Sequence, residues 1–411
     1  VISARYAVGQ RSETVRRANL SAIAAELHLH GPLSRSELVA RTGLTRSAIR
    51  GLIGEFVASG LATEERSVTP GVPGRPSPLV QPNPGRAVVL ALDIAVDSLG
   101  VALVGFGGEV LQRRRVDRPR QHLKFDQIMD DLTELAMPVL GLVPLPDALI
   151  GVSIGVVGLV RRSDGEVRLA PNLGWHDVPL AAALAGRLGV GVEVSVANEA
   201  DLGALAEHRR GAAVGVDDVV YISGEVGVGG GIIVDGRPLD GSEGYAGEVG
   251  HMPVNVHGTS CRCGAIGCWE TEIGERALLT RAGQDPAGGR PGVEAVLAAA
   301  AAGSPSALEA LAEVGRWLGI GLAGLVNIFN PRLVVLGGLF GRMHPFAGGT
   351  VDAVLERRAL EAAREHVEVV PARLGGDAPL LGAAELGFEP LLRDPAAWFA
   401  QRGIPVEAAT A

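Results

Sequence analysis

The stretch GYAGEVGHMPVNVHGTSCRCGAIGCWE, Gly244 to Glu270, decides how the rest of this chain is read. His251, Cys261, Cys263 and Cys268 within it are spaced H-x9-C-x-C-x4-C and include all three cysteines of the 411 residues. Three thiols and an imidazole so close in sequence supply the four soft donors that tetrahedral zinc prefers. Scattered cysteines rarely fall in such spacing, so the pattern predicts a structural zinc rather than unrelated thiols in a glycine-rich loop. His257 is a rival for the fourth position. A metal closed in by four protein ligands has no open position and holds structure rather than doing chemistry. What it would hold is the segment from Gly244 to His251, with Glu248 inside it. That is where the sequence places a ligand.

On either side of this stretch, short apolar runs end in glycines or acids. Residues 88–93, 99–106 and 110–113 read as a strand, hairpin and strand, followed by a helix over 125–142 and a buried strand over 148–156. Residues 192–197 form a strand that delivers Asn198 and Glu199, and 201–209 are helical. Strands over 219–223 and 231–234 flank a glycine loop, a long apolar helix covers 308–329, and a strand over 333–336 runs into Gly337-Gly338. Strands alternating with helices predict an α/β body with ligand groups at the strand ends. Residues 390–411 read as a frayed, Ala-rich tail.

The N-terminal part has a different texture. Residues 14–29 carry apolar side chains at helical spacing and stop at Gly31-Pro32. Ser34 with Glu37 three residues later is a capping box that opens a short helix through Arg41. Gly43 supplies a turn, and Thr45 caps a second helix over 46–59 with Ile49, Leu52, Ile53 and Phe56 on one face. This is the helix-turn-helix spacing, whose second helix presents its first residues to the major groove. Here those are Thr45, Arg46, Ser47 and Arg50, suited to base edges and phosphate oxygens. The Gly/Pro-rich segment 70–76 reads as the tip of a hairpin wing, with Arg75 placed to reach a minor groove. A helical hairpin used only for dimer packing, with a solvated arginine loop, is the bland alternative.

Charge follows the same division. Residues 1–80 hold ten Arg and six Glu, a net of +4, which leaves −13 on the remainder of a chain whose total is −9. A basic head on an acidic body suits a polyanion at one end and another ligand at the other. No run of eighteen apolar residues predicts a membrane span, and clustered thiols in metal spacing predict a reducing cytoplasm. Lys124 is the only lysine.

The body resembles the ROK family of repressors and sugar kinases. The matching stretches are Pro171-Asn172-Leu173-Gly174-Trp175, Ala197-Asn198-Glu199-Ala200, Gly227 to Ile233, Gly247-Glu248-Val249-Gly250-His251, the cysteine cluster through Glu270, Asn330-Pro331 and Gly337-Gly338. With its head, the chain is similar to the family's NagC/XylR-type transcriptional regulators. The resemblance implies a winged helix-turn-helix over 10–81, a linker over 82–86, and a two-lobed actin/hexokinase-like body of ribonuclease H type. The first lobe would span 87–200, completed by about 376–392; the second, 201–375, would carry the zinc and the sugar pocket; 393–411 is left as tail. It further implies that Asn198, Glu199, Glu248, His251 and Glu270 bond sugar hydroxyls, with Asn172 beside them, and that Glu199 stands at the kinase base position. Zinc second-shell roles for Glu248 and Glu270, and a plain strand-end turn for Asn198 and Glu199, are the structural alternatives.

The family contains kinases and sensors, and the loops discriminate. Kinase relatives resemble Asp-x-Gly-Gly-Thr where this chain has Asp93-Ile94-Ala95-Val96-Asp97, and a Gly-Thr-Gly loop where it has Glu225-Val226-Gly227. Carboxylates facing a triphosphate in a partly dry cleft are costly, and Glu in place of Asp displaces the base by a methylene. The expectation is a sugar-responsive regulator, acting as a repressor on palindromic operator DNA as a homodimer or homotetramer, with phosphoryl transfer lost. The rivals are a sugar kinase with a DNA-binding head, and a body that serves only for dimerisation.

Overall fold

The computed structural model describes residues 12–65, 77–120 and 124–403. The head begins with α1 (Ser12–His30), followed by strand β1 (Leu33–Ser34), α2 (Arg35–Thr42), α3 (Arg46–Ala58), β2 (Ala62–Glu65) and β3 (Leu79–Pro82). The capping box is present: Ser34 Oγ accepts from the Glu37 amide at 3.2 Å, and Glu37 accepts from the Ser34 amide at 2.7 Å. Gly43, at a φ of 69°, ends α2 in the left-handed region open to glycine. Thr45 Oγ1 then accepts from the Ala48 amide at 3.2 Å and starts α3. Leu20, Ile23 and Leu27 of α1 pack with Leu38, Ile49, Ile53 and Phe56 in the head's core. The strands pair in the order β1-β3-β2, antiparallel throughout, as the base of a wing. The expected wing tip over 70–76, with Arg75, lies outside the described residues.

The first lobe comprises β4 (Val88–Ile94), β5 (Ser98–Gly105), β6 (Val110–Asp117), α4 (Phe125–Leu140) and β7 (Leu149–Val156), then β8 (Leu159–Arg161), β9 (Glu166–Ala170), β10 (Trp175–Val178), α5 (Leu180–Leu188) and β11 (Val194–Asn198). Helix α6 (Glu199–Arg210) leads to the second, with β12 (Val219–Gly224), β13 (Val228–Val234) and β14 (Arg237–Pro238). The chain then forms α7 (Trp269–Ile273), α8 (Glu275–Arg281), α9 (Gly289–Ala301), α10 (Pro305–Phe329), β15 (Leu333–Gly337), α11 (Gly338–Arg358), α12 (Glu361–Arg364) and β16 (Glu368–Pro371). Helices α13 (Ala378–Arg393) and α14 (Pro395–Gln401) complete the described chain.

The two large sheets share one plan. Their orders, β11-β7-β4-β5-β6 and β14-β13-β12-β15-β16, each place an antiparallel meander beside two parallel strands. β4 (VVLALDI) is buried along its whole length because α13 covers one face and α4 lies on the other side of its sheet. That double coverage explains a continuous apolar run where an exposed sheet would alternate. Helix α10 is long and apolar enough to cross a membrane, with a hydropathy of 1.2, but 56% of that window is buried. It is the core helix of the second lobe, packed against α7, α9 and α11.

Three sequence expectations need correction, and one small sheet goes unread in the sequence. The glycine run is mostly strand: β13 starts at Val228, and the turn is only Glu225 to Gly227. Gly229 and Gly231 lie under α6, where an added Cβ would meet the Ala200 and Ala204 methyl carbons at 2.7 and 2.5 Å. Their smallness serves packing. The supposed tail over 390–411 contains the end of α13 and all of α14, whose Trp398 and Phe399 are buried against the head. Phe399 meets Phe56 of α3 edge-on at 5.4 Å. Helix α4 ends at Leu140 rather than 142, closed by Gly141. The small sheet β10-β9-β8 was not anticipated, since strands of three to five residues leave little periodicity to read.

Candidate functional site

A cleft of about 450 Å³ opens between the ends of the two large sheets. Asn172, Asn198, Glu199, Glu248, His251 and Glu270, separated by up to 98 residues of chain, all line it. Each is placed by a local device. Asn198 ends β11 and caps α6: its Oδ1 accepts from the Ala200 amide at 2.7 Å and its Nδ2 donates to the Gly158 carbonyl at 2.9 Å. Glu199 is therefore the first residue of α6 and projects at the cleft floor. Glu248 precedes a single turn of 3₁₀ helix over Val249–His251. Asn172 sits in the β9–β10 loop, and Glu270 in the first turn of α7. An added Cβ at Gly227 would lie 3.3 Å from both Asn172 Nδ2 and Glu270 Oε2, so this glycine lets the three groups converge.

Behind this wall stands the cysteine cluster. One donor atom each from His251, Cys261, Cys263 and Cys268 lies within 4.8 Å of the others, and His257 does not join them. Cys261 Sγ is 3.7 Å from His251 Nδ1, and Cys263 Sγ is 3.7 Å from Cys268 Sγ. A tetrahedron with metal–sulfur bonds of about 2.3 Å has edges of about 3.8 Å, so these separations fit a metal between them. His251 turns Nδ1 toward the thiols and Nε2 toward Glu248, whose carboxylate is 4.0 Å away. Trp269, fully buried, anchors the loop: its indole N–H donates to the Trp317 carbonyl at 2.8 Å, over Gly321 of α10.

Carboxylates outnumber arginines around the cleft, eight to five. Asp93, at the end of β4, is 5% exposed and its Oδ1 has no hydrogen-bond partner among the described residues. Burial raises its pKa to about 7, against the pull of Arg115 and with a push from Asp97. Burial raises Glu199 to about 8, helped by repulsion from Asp93, Glu225, Asp97 and Glu248. Burial also raises Glu248, Glu225 and, to about 7, Asp201. Glu199 is thus largely protonated at neutral pH and offers a hydroxyl hydrogen as well as an acceptor.

The β4–β5 and β12–β13 turns face each other from equivalent places in the two sheets. Each carries a carboxylate, Asp97 in the first and Glu225 in the second. Asp97 is held by Arg120 at 3.0 Å and by Arg290 of α9 at 3.6 Å. Arg120 also donates to Glu275 of α8, so first and second lobes are clasped at this mouth. The sequence reading marked both turns but missed the clasp, because its members lie 155 residues apart. It also missed Arg262, which stands between two clustered cysteines and donates to Asn172 across the cleft at 2.5 Å. Its position between the cysteines was the available signal.

At the head, Thr45, Arg46, Ser47 and Arg50 are exposed while Ile49 between them is buried. Arg46 and Arg50 have no hydrogen bond or ion pair among the described residues, and the side of α3 they occupy is free of the body.

Residues 89–389 match the profile of the ROK family. The chain belongs to the ROK family. A putative xylose repressor of Caldicellulosiruptor sp. (strain Rt8B.4) is 31% identical over 379 residues, covering 89% of this chain and 94% of its own. Among solved structures, a ROK family transcriptional regulator homologous to the E. coli MLC protein superposes with a TM-score of 0.74 at 26% identity, covering 92% of this chain and 97% of its own. A ROK family glucokinase from Streptomyces griseus, solved with glucose and AMPPNP, superposes with a TM-score of 0.63 at 31% identity. That kinase covers 73% of this ROK chain and 99% of its own, so it accounts for a shorter portion of the fold than the regulator does.

Proposed function

We propose that this ROK protein is a sugar-responsive transcriptional repressor: the head binds operator DNA, and a sugar bound in the cleft changes that affinity. The observation that carries the reading is the pairing of two features in one chain. The exposed face of α3 presents two uncommitted arginines and two hydroxyls, while the cleft combines hydroxyl-reading groups with carboxylates in both phosphate-side turns. Asp97 and Glu225 put side chains where kinase relatives resemble bare glycine turns, and Asp97 is already committed to Arg120, which also holds Glu275. Phosphoryl transfer is accordingly absent in this reading, although glucokinases are among the relatives.

In this reading Glu199, Glu248, Glu270, Asn198 and Asn172 bond the sugar hydroxyls, with His251 Nε2 beside Glu248. Acceptors and donors in pairs match vicinal hydroxyls. Zinc is the metal that suits a donor set of three thiolates and one imidazole. It would be held by His251, Cys261, Cys263 and Cys268 and would fix the tautomer of His251. The xylose repressors among the relatives favour a pentose or hexose effector acting on carbohydrate genes in the cytoplasm. A homodimer placing two heads on a palindromic operator follows from the head type.

The test is a thermal-shift panel of monosaccharides and sugar phosphates, with and without ATP–Mg, followed by operator binding. Stabilisation by one sugar, independent of ATP, with a matching change in operator affinity supports the regulator. Production of ADP in the presence of sugar would restore the kinase reading.

A further inference from the structure

Glu385 lies in the middle of α13 and is 1% exposed; burial opposes its charge, but His28, Arg210 and Arg209 around the carboxylate hold its pKa below the usual carboxylate range. Its partners come from two directions. From the head, His28 of α1, fully buried, places Nε2 at 3.3 Å. The Gly107 amide donates to His28 Nδ1 at 3.1 Å, which leaves the imidazole hydrogen on Nε2, aimed at Glu385. From the body, Arg210 and Arg209 at the end of α6 both donate to the Glu385 carboxylate. Arg210 also donates to the His28 backbone carbonyl at 3.1 Å. Head helix, α6 and α13 thus meet at one buried charge.

The other end of α6 is the sugar cleft. Asn198 caps the helix and Glu199 is its first residue, so twelve residues, about 18 Å, separate the cleft from Arg210. Helix α13 makes the same journey: Asp377 and Pro379 at its start line the cleft, and Glu385 lies about 10 Å further on. The two helices cannot slide past each other easily. An added Cβ at Gly382 of α13 would come within 1.9 Å of the Leu202 carbonyl of α6. A shift of Glu199 on closing around a ligand is therefore carried by a close-packed helix pair to Glu385.

Resting on the regulator reading above, we infer that Glu385, with His28 and Arg210, is the positioning residue that makes the head follow α6 and α13 when sugar binds. A buried charge suits this role because its partners cannot leave singly: removing one exposes an uncompensated charge, so the head moves with the node rather than away from it. A purely apolar contact between head and body would tolerate sliding.

The experiment measures operator affinity by fluorescence anisotropy, using a duplex selected by the wild-type protein from a random pool, with and without D-xylose or D-glucose. Wild-type affinity is expected to change by about ten-fold or more with the effective sugar. Glu385→Gln and Arg210→Gln are expected to shrink that change to about two-fold, while calorimetry finds sugar affinity within about three-fold of wild type. Arg210→Lys, which keeps the charge, retains part of the response. Arg210→Gln guards against a misfolded Glu385→Gln, since Arg210 is the less buried of the two. Folded variants that respond as the wild type does overturn the inference alone. A wild type that binds both sugar and DNA without coupling them overturns it together with the response, whereas no sugar binding at all removes the regulator reading itself.

Discussion

Asp93 and Glu199 show what the cleft costs the molecule. Their pKa values are raised from 3.8 to about 7 and from 4.5 to about 8, so the folded protein holds these protons longer than the unfolded chain does. Stability from this pair is fullest below the unfolded values and is lost as pH rises toward the folded ones, between about pH 4 and about pH 8. Asp93→Asn removes a buried unpaired charge and relieves Glu199. Its melting temperature at about pH 8 should rise by about 2–4 °C, and its decline from about pH 5 to about pH 8 should flatten. A lower melting point at the alkaline end would mean that Asp93 is paired in a way not seen here. Because Glu199 is mostly protonated at neutral pH, Glu199→Gln keeps its pattern of donor and acceptor. Sugar affinity of that variant should stay within about three-fold, while Glu199→Ala loses about 10–100-fold in calorimetry. Equal losses in both would assign the ionised carboxylate to the sugar.

Among elements, α3 and α14 make separable contributions. Arg46 and Arg50 project from α3 with no partner among the described residues, so each replaced by alanine should weaken operator binding by about 10–100-fold and leave sugar-induced thermal shifts unchanged. Loss of sugar stabilisation in either variant would tie α3 to the body. Helix α14 is held by its Phe399 against Phe56, and by its capping residue Asp394 against Arg17 of α1. Phe399→Ala leaves a cavity at this seam and should cost about 3–5 kcal/mol in urea unfolding. Only one end of this seam was legible in the sequence: α3 announced itself through Gly43, Thr45 and a helical apolar stripe. Helix α14 did not, because seven residues, Pro395–Gln401, carry too few turns for periodicity to register.

At the scale of the whole molecule, two sheets of equal strand order face each other across the cleft, and the His251–cysteine cluster forms part of one wall. The cluster braces His251 and the Glu248 segment and is tied through Trp269 to the α10 core. Removal of metal by a chelator, or Cys268→Ser, should lower the melting temperature and weaken sugar binding together. Sugar affinity unchanged after metal loss, measured by calorimetry on the folded protein, would separate the cluster from the cleft. The clasp of Arg120 with Asp97 and Glu275 acts at the same scale, since it joins lobes rather than neighbours.

Local chemistry sufficed for much of this. The H-x9-C-x-C-x4-C spacing singled out the four residues that converge, and Ser34-x-x-Glu37, Gly43 and Thr45 marked the helix ends of the head, because caps and ligand spacings are short-range constraints. Family resemblance gathered six cleft residues from distant segments, which no periodicity could have done. Tertiary structure alone decided which glycines of the 227–231 run make room for α6, which arginine reaches Asn172, and why Glu385 keeps its charge inside the protein. Each of these depends on what a distant segment places within a few ångströms. Burial and a neighbouring charge set the behaviour of such groups, and both are properties of the packed fold rather than of the residue.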